Sequence, residues 1–110
     1  MKPKNGMRPV HPGEILSEEF LKPLALSART LAEALGVPHN RVSGIVSGKR
    51  DVTPDTALRL GRAFDTTPEF WLNLQQAHDL RLAERTSNLA GVRKVLPADA
   101  ERPKRAAKRK

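Results

Sequence analysis

The chain has 110 residues, enough for one domain, and its 20 Lys and Arg against 12 Asp and Glu give a formal net charge of +8. There is no cysteine, which excludes disulfides and thiolate metal sites, and His11, His39 and His78 are too scattered for ligand spacing, so no metal or cofactor is expected. No stretch between charged residues exceeds nine (Phe70 to His78), far below the ~18 apolar residues of a membrane span, and no apolar signal core follows the basic start, so a cytoplasmic protein off the membrane is expected.

The positive balance points to a polyanion, but its position matters more than its size. Through Asp79 there are 10 Lys and Arg against 9 acids; from Leu80 onward there are 10 against 3. The helically patterned part is nearly neutral, so a nucleic-acid reading must rest on where single bases fall.

Residues 1–10, rich in Pro, Gly and Lys, read as a flexible arm. A first helix is expected from about Pro12, with Glu14 in its favourable first turn, Ile15, Leu16 and Phe20 on its apolar side, and Lys22-Pro23 as its end. Ser27 is a plausible N-cap for a second helix, whose stripe of Leu31, Ala32 and Leu35 runs into Gly36-Val37-Pro38. Glycine takes the left-handed conformation that closes a helix, and proline suits the first turn of the next. A third stripe restarts at Val42, Ile45 and Val46, and Ala32 is small where the two helices must approach. The outer face of this third helix, His39, Asn40, Arg41, Ser43 and Gly44, is polar, of short or medium reach and free of acid. A helix laid in the major groove of DNA needs such a face, and the two short helices at a tight corner read as a helix-turn-helix.

A polar loop, Ser47-Gly48-Lys49-Arg50-Asp51, follows. Thr53-Pro54-Asp55 and Thr67-Pro68-Glu69 each combine a capping hydroxyl, a proline at the first helical position and an acid near the positive helix end. The fourth helix should bury Ala57, Leu60, Gly61 and Phe64; the fifth presents Phe70, Trp71, Leu74 and Ala77 on one side and Leu72 and Leu80 on another. From Glu84 the periodicity fades into a basic segment without large apolar side chains at its end. The expected architecture is an all-α, five-helix bundle over residues 11–83, with a flexible, disordered basic tail over 84–110.

For base readout the candidates are His39, Asn40 and Ser43, near the start of the third helix. Asparagine offers both hydrogen bonds to adenine N6 and N7, and histidine donates to guanine N7 or O6. Gly44, without a side chain, either admits a thymine methyl or makes no contact. Ser27, Arg29, Arg41, Ser47, Lys49 and Arg50 are candidates for phosphate contacts, since helix starts and the loop after the recognition helix face the backbone in this docking mode. The second apolar side of the fifth helix makes Leu72 and Leu80 candidates for a homodimer contact, and Trp71, on the first side, reads as a core or dimer contact rather than a base-stacking platform. His11 reads as a cap or packing residue rather than a general base. Glu18 and Glu19 read as a solvated face rather than a catalytic pair, since adjacent helix positions diverge by about 100°. No nucleophile–base pair or phosphate-cradling glycine loop is present, so an enzyme is not expected.

The segments HPGEIL from His11, the corner LAEALGVPHNRVSGI from Leu31, Gly48-Lys49-Arg50, TPDTALRL from Thr53 and PEFWLNLQ from Pro68 closely resemble the HigA (VapI-type) antitoxins, a branch of the Xre/Cro-like (lambda-repressor-like) helix-turn-helix superfamily. The resemblance covers about residues 10–83. It implies the antitoxin of a bacterial type II toxin–antitoxin system: a homodimer that binds a palindromic double-stranded operator in its own promoter, associates with the nucleoid when so bound, and neutralises a HigB-type toxin, a ribosome-dependent mRNA endonuclease. If such a toxin is basic, Glu14, Glu18 and Glu19, the acidic cluster of the folded part, are its expected contact. Two rival readings stand beside this one: a solitary Xre-family transcriptional regulator without a toxin, and a general basic nucleic-acid-binding protein driven by the tail.

Overall fold

A computed structural model of the chain describes residues 8–96. The expectations for most of the N-terminal arm (residues 1–7) and for the end of the basic tail (97–110) lie outside these residues. Among the described residues the architecture is all-α: five helical bodies and no strand.

Helix α1 starts at Pro12–Ile15, passes through a π-helical segment, Leu16–Leu21, and ends as Lys22–Leu24. The helix runs one residue past the expected stop at Lys22-Pro23. Proline has no N–H, and in an α-helix its ring collides with the carbonyl four residues back. The π turn just before Pro23 widens the spiral, the Lys22 N–H reaching back to the Ser17 carbonyl, and this relieves that collision. The helix closes at Ala25, in the left-handed region with φ 56°.

Helices α2 (Ala28–Leu35), α3 (His39–Val46), α4 (Pro54–Phe64) and α5 (Pro68–Thr86) follow. The hydroxyls of Ser27, Thr53 and Thr67 each accept the N–H of the residue three positions on, at 3.0, 3.4 and 3.1 Å. Such a cap contributes about 1 kcal/mol. Gly36 closes α2 at φ 73°, as the corner requires. Pro38 sits at the N-cap of α3 rather than within its first turn, in extended backbone (φ −62°, ψ 148°).

Leu16, Leu31, Val42, Ile45, Leu60 and Trp71 make the centre of the core, with Ala32, Leu35, Val52 and Ala57 around them. Trp71 is completely buried; Phe20, Phe64 and Phe70 surround its ring at 5.0, 6.3 and 5.0 Å, and its Nε1 donates to the Thr66 hydroxyl at 2.8 Å. Gly61 is buried because a methyl group there would press within 2.8 Å of the Thr66 carbonyl, where the chain turns from α4 into α5. The core side of α5 differs from expectation at both ends: Ala77 is exposed, Phe70 is partly exposed while packing edge-on against Trp71, and Gln75 is buried. Helix α5 also passes the expected boundary at residue 83 and runs to Thr86, after which residues 87–96 form only a turn and irregular chain.

Candidate nucleic-acid interface

Val42 and Ile45 are buried against Leu31, Ala32 and Leu35, and this fixes which side of α3 faces outward. His39 and Asn40 are exposed in its first turn, and Ser43 is half-buried one turn on. No side chain caps the start of α3, so its positive end stays open towards solvent or an anion. The three base-readout candidates thus lie together at the N-terminal half of a short helix held rigidly from behind.

The loop after α3 folds back on it. The Gly44 carbonyl accepts the main-chain N–H of Lys49 (2.8 Å) and Arg50 (3.0 Å) and the Ser47 hydroxyl (3.1 Å). The aliphatic stem of Arg50 lies over Gly44, where a methyl group would stand 2.7 Å from Arg50 Cδ. Gly44 therefore serves the packing of Arg50 against the recognition helix, which the sequence reading missed; a run of polar loop residues does not disclose which of them folds back. Gly48 makes the loop possible, with φ 81°.

The phosphate candidates divide by what already occupies them. Arg29, Lys49 and Arg50 are exposed and make no ion pair among the described residues. Arg41 pairs with Asp55 at 2.9 Å, and the same carboxylate oxygen takes Arg59 Nε at 2.9 Å. The two guanidiniums, Arg59 first, hold the Asp55 carboxyl below the usual range. Arg59 also donates to the Leu35 carbonyl at 2.8 Å, at the end of α2. Arg41 is thus a strut between α3 and α4 as well as a cation beside the readout face. The Ser27 hydroxyl is spent on its cap and on a bond to Thr30 Oγ1 at 3.0 Å.

The acidic face of α1 is less negative than its composition suggests. Both Glu14 oxygens take the Arg8 guanidinium, at 2.8 and 3.0 Å, and this pairing holds the Glu14 carboxyl below its ordinary value. Glu18 pairs with Lys22 at 2.7 Å, and Glu19 is exposed. For the dimer candidates, Trp71 belongs to the core and offers no surface; Leu72 is half-buried and Leu80 exposed. His11 is the cap it was expected to be, its Nδ1 accepting the Gly13 N–H at 2.9 Å. Gln75 was not anticipated: its Oε1 accepts the Val52 N–H at 2.7 Å inside the fold, and its Nε2 donates to Asp79 at 2.9 Å. A polar residue four positions from its partner in an amphipathic helix gives no sign of burial.

A helix-turn-helix with an acid-free, exposed recognition face and unpaired cations beside it defines a DNA-binding regulator rather than an enzyme. The comparisons agree. A helix-turn-helix family model matches residues 18–71. Virulence-associated protein I of Dichelobacter nodosus is 48% identical over 97 residues, 88% of this chain and 90% of that protein. Antitoxin HigA-1 of Vibrio cholerae is 47% identical over 77 residues, 70% of this chain and 72% of that one. Among solved structures, the antitoxin GraA in complex with its operator superposes with a TM-score of 0.78 at 50% identity, covering 87% of this chain and all of that one (100%). The chain belongs to the HigA (VapI-type) antitoxin family of helix-turn-helix proteins.

Proposed function

We propose that this chain is a HigA-type antitoxin and autorepressor. A homodimer places α3 of each subunit in successive major grooves of a palindromic operator, His39, Asn40 and Ser43 read base edges, and Arg29, Lys49 and Arg50 hold phosphates with help from Arg41, Ser27 and Ser47. The observation that carries this reading is the outward presentation of His39 and Asn40 on a helix whose opposite side, Val42 and Ile45, is sealed in the core. The likeness to GraA, solved with its operator, supports it.

The pairing surface we propose is the open side of α5, with Leu72 and Leu80 and without Trp71. The partner to be neutralised is a basic HigB-type nuclease, docking on Glu14, Glu18 and Glu19, where Glu19 offers its charge directly and the other two exchange an internal cation for one of the toxin's. The folded unit spans residues 11 to the end of α5, and the working compartment is the bacterial cytoplasm, on the nucleoid when operator-bound.

Competition binding tests the DNA reading. Full-length protein should prefer one palindrome, with half-site centres about 10–10.5 bp apart, over scrambled duplex. Equal affinity for any duplex with a steep salt dependence would replace it by the general basic-protein reading. Co-purification with the product of a neighbouring short gene separates the antitoxin from a solitary regulator, and unchanged toxin affinity after E18K and E19K together would remove the acidic face from the proposal.

A further inference from the structure

We infer that the start of α1, through His11 and Gly13, is a seat that positions the end of the recognition helix and the loop behind it, so that Lys49 and Arg50 meet the phosphates. The inference rests on the DNA-binding reading above and assigns positioning roles to residues which that reading leaves unused.

Gly13 is the contact itself. A methyl group there would overlap the Ile45 carbonyl and stand 3.0 Å from the Val46 Cα, so α1 lies main chain to main chain on the last turn of α3. Its N–H is bound to His11 Nδ1, which fixes the imidazole ring. That ring faces Gly48 at van der Waals distance (3.9 Å to the place a Cβ would take) and meets His78 of α5 edge to face at 4.9 Å. Its Nε2 is buried and meets no partner at good hydrogen-bond geometry, although the Arg50 main chain favours a proton on the ring. A Ser, Asp or Asn would cap α1 equally well and leave no such atom. The cap alone does not explain an imidazole here; its length does, spanning from α1 past the Gly48 loop to α5. On the far side of the loop, Gln75 holds the Val52 N–H, and Asp79 takes both Gln75 Nε2 and, at 3.2 Å, His78 Nδ1. The loop that carries Lys49 and Arg50 is therefore gripped from the front by the Gly44 carbonyl and from behind by α1 and α5.

The seat also works best with neutral His11. Burial, then the neighbouring His78, holds its pKa below the ordinary histidine value, while Asp51, the Arg50 main chain and Asp79 pull the other way. On its own element Glu14 faces it with a charge already taken up by Arg8. A proton on Nδ1 would displace the Gly13 bond. A group whose folded pKa is depressed in this way favours the native state fully at neutral pH and withdraws that support as pH falls below about 6.5, the free histidine value.

The test is operator binding by full-length His11→Asn and His78→Ala, with the duplex taken from the region upstream of the chain's own gene and affinity followed by anisotropy from 50 to 200 mM salt. Asparagine keeps the cap and removes the ring, so His11→Asn should melt near the wild type. Both variants should bind about 2- to 30-fold more weakly, with the salt slope lower by about one because a phosphate contact is lost. The loss of wild-type affinity between pH 7.5 and 5.5 should shrink in His11→Asn. Unchanged affinity and slope in both variants would overturn the inference, as would weaker binding with an unchanged slope, which would mean a stability role only. Should His11→Asn fail to fold, His78→Ala decides alone. A wild-type protein with no preference for the duplex over its scrambled counterpart would fail the DNA reading itself, and the seat with it.

Discussion

Two sets of apolar side chains in this chain meet different surroundings. Leu31, Ala32 and Leu35 of α2 and Val42 and Ile45 of α3 are closed into the core, each no more than 6% exposed, while Leu80 and Leu82 at the far end of α5 stand 54% and 46% exposed. The cause is length. Helices α2 and α3 have eight residues each and end within the bundle; α5 has 19 and outruns it. Where the apolar side is sealed by the subunit, the polar side becomes a rigid surface fit to be aimed at a groove. Where it is left open, burial must come from outside, and in the proposed homodimer a second copy supplies it. In the proposed dimer, base reading would belong to the sealed α2–α3 corner and assembly to the open side of α5.

The largest effect is expected at Trp71, in the centre of the core. Trp71→Ala should cost about 3–5 kcal/mol, by urea denaturation, because it empties a site ringed by three phenylalanines and orphans the Thr66 hydroxyl. Leu80→Ala should stay within about 0.5 kcal/mol when measured on dilute monomer. Equal losses in the two would put the end of α5 inside the subunit core and erase the distinction. Leu80→Glu tests the proposed dimer next: sedimentation should find dimer for the wild type and monomer for the variant, and operator affinity should drop to that of a single half-site, with the fold intact by circular dichroism.

The sealed end was the more legible of the two, for a physical reason. Caps at Ser27, Thr53 and Thr67, the left-handed Gly36 and the stripes of α2, α3 and α4 are decided within a few residues, and the chain spells such local chemistry out. Arg41 with Asp55, and Gln75 with Val52, join residues 14 and 23 positions apart, and no periodicity announces them. Pro23 marked the end of α1 to within one residue, but the π turn that precedes it has no signature in the sequence. For Trp71 the sequence leaves core and dimer contact both open, because an aromatic in an apolar stripe reads the same whether the stripe faces its own core or a partner.

On the reading face the expected effects are smaller. Asn40→Ala should cost about 1–3 kcal/mol on the operator and relax preference at one base pair, visible in a selection from randomised duplexes; uniform weakening across sequences would move Asn40 to the backbone-contact group.

The finest distinction is between two cations a few residues apart. Lys49 is exposed and makes no ion pair among the described residues, so Lys49→Ala should weaken all duplexes alike and lower the salt slope by about one. Arg41 is held at 2.9 Å by Asp55, a carboxylate also held by Arg59. Its charge is partly compensated before DNA arrives, so fewer counterions leave when a phosphate approaches, and Arg41→Ala should shift the slope by less than Lys49→Ala. Asp55→Asn provides the control. Freeing both arginines should raise affinity for every duplex and restore a full slope increment to Arg41; if it changes neither, Arg41 points its charge into α4 in the bound state as in the free one and is a strut alone.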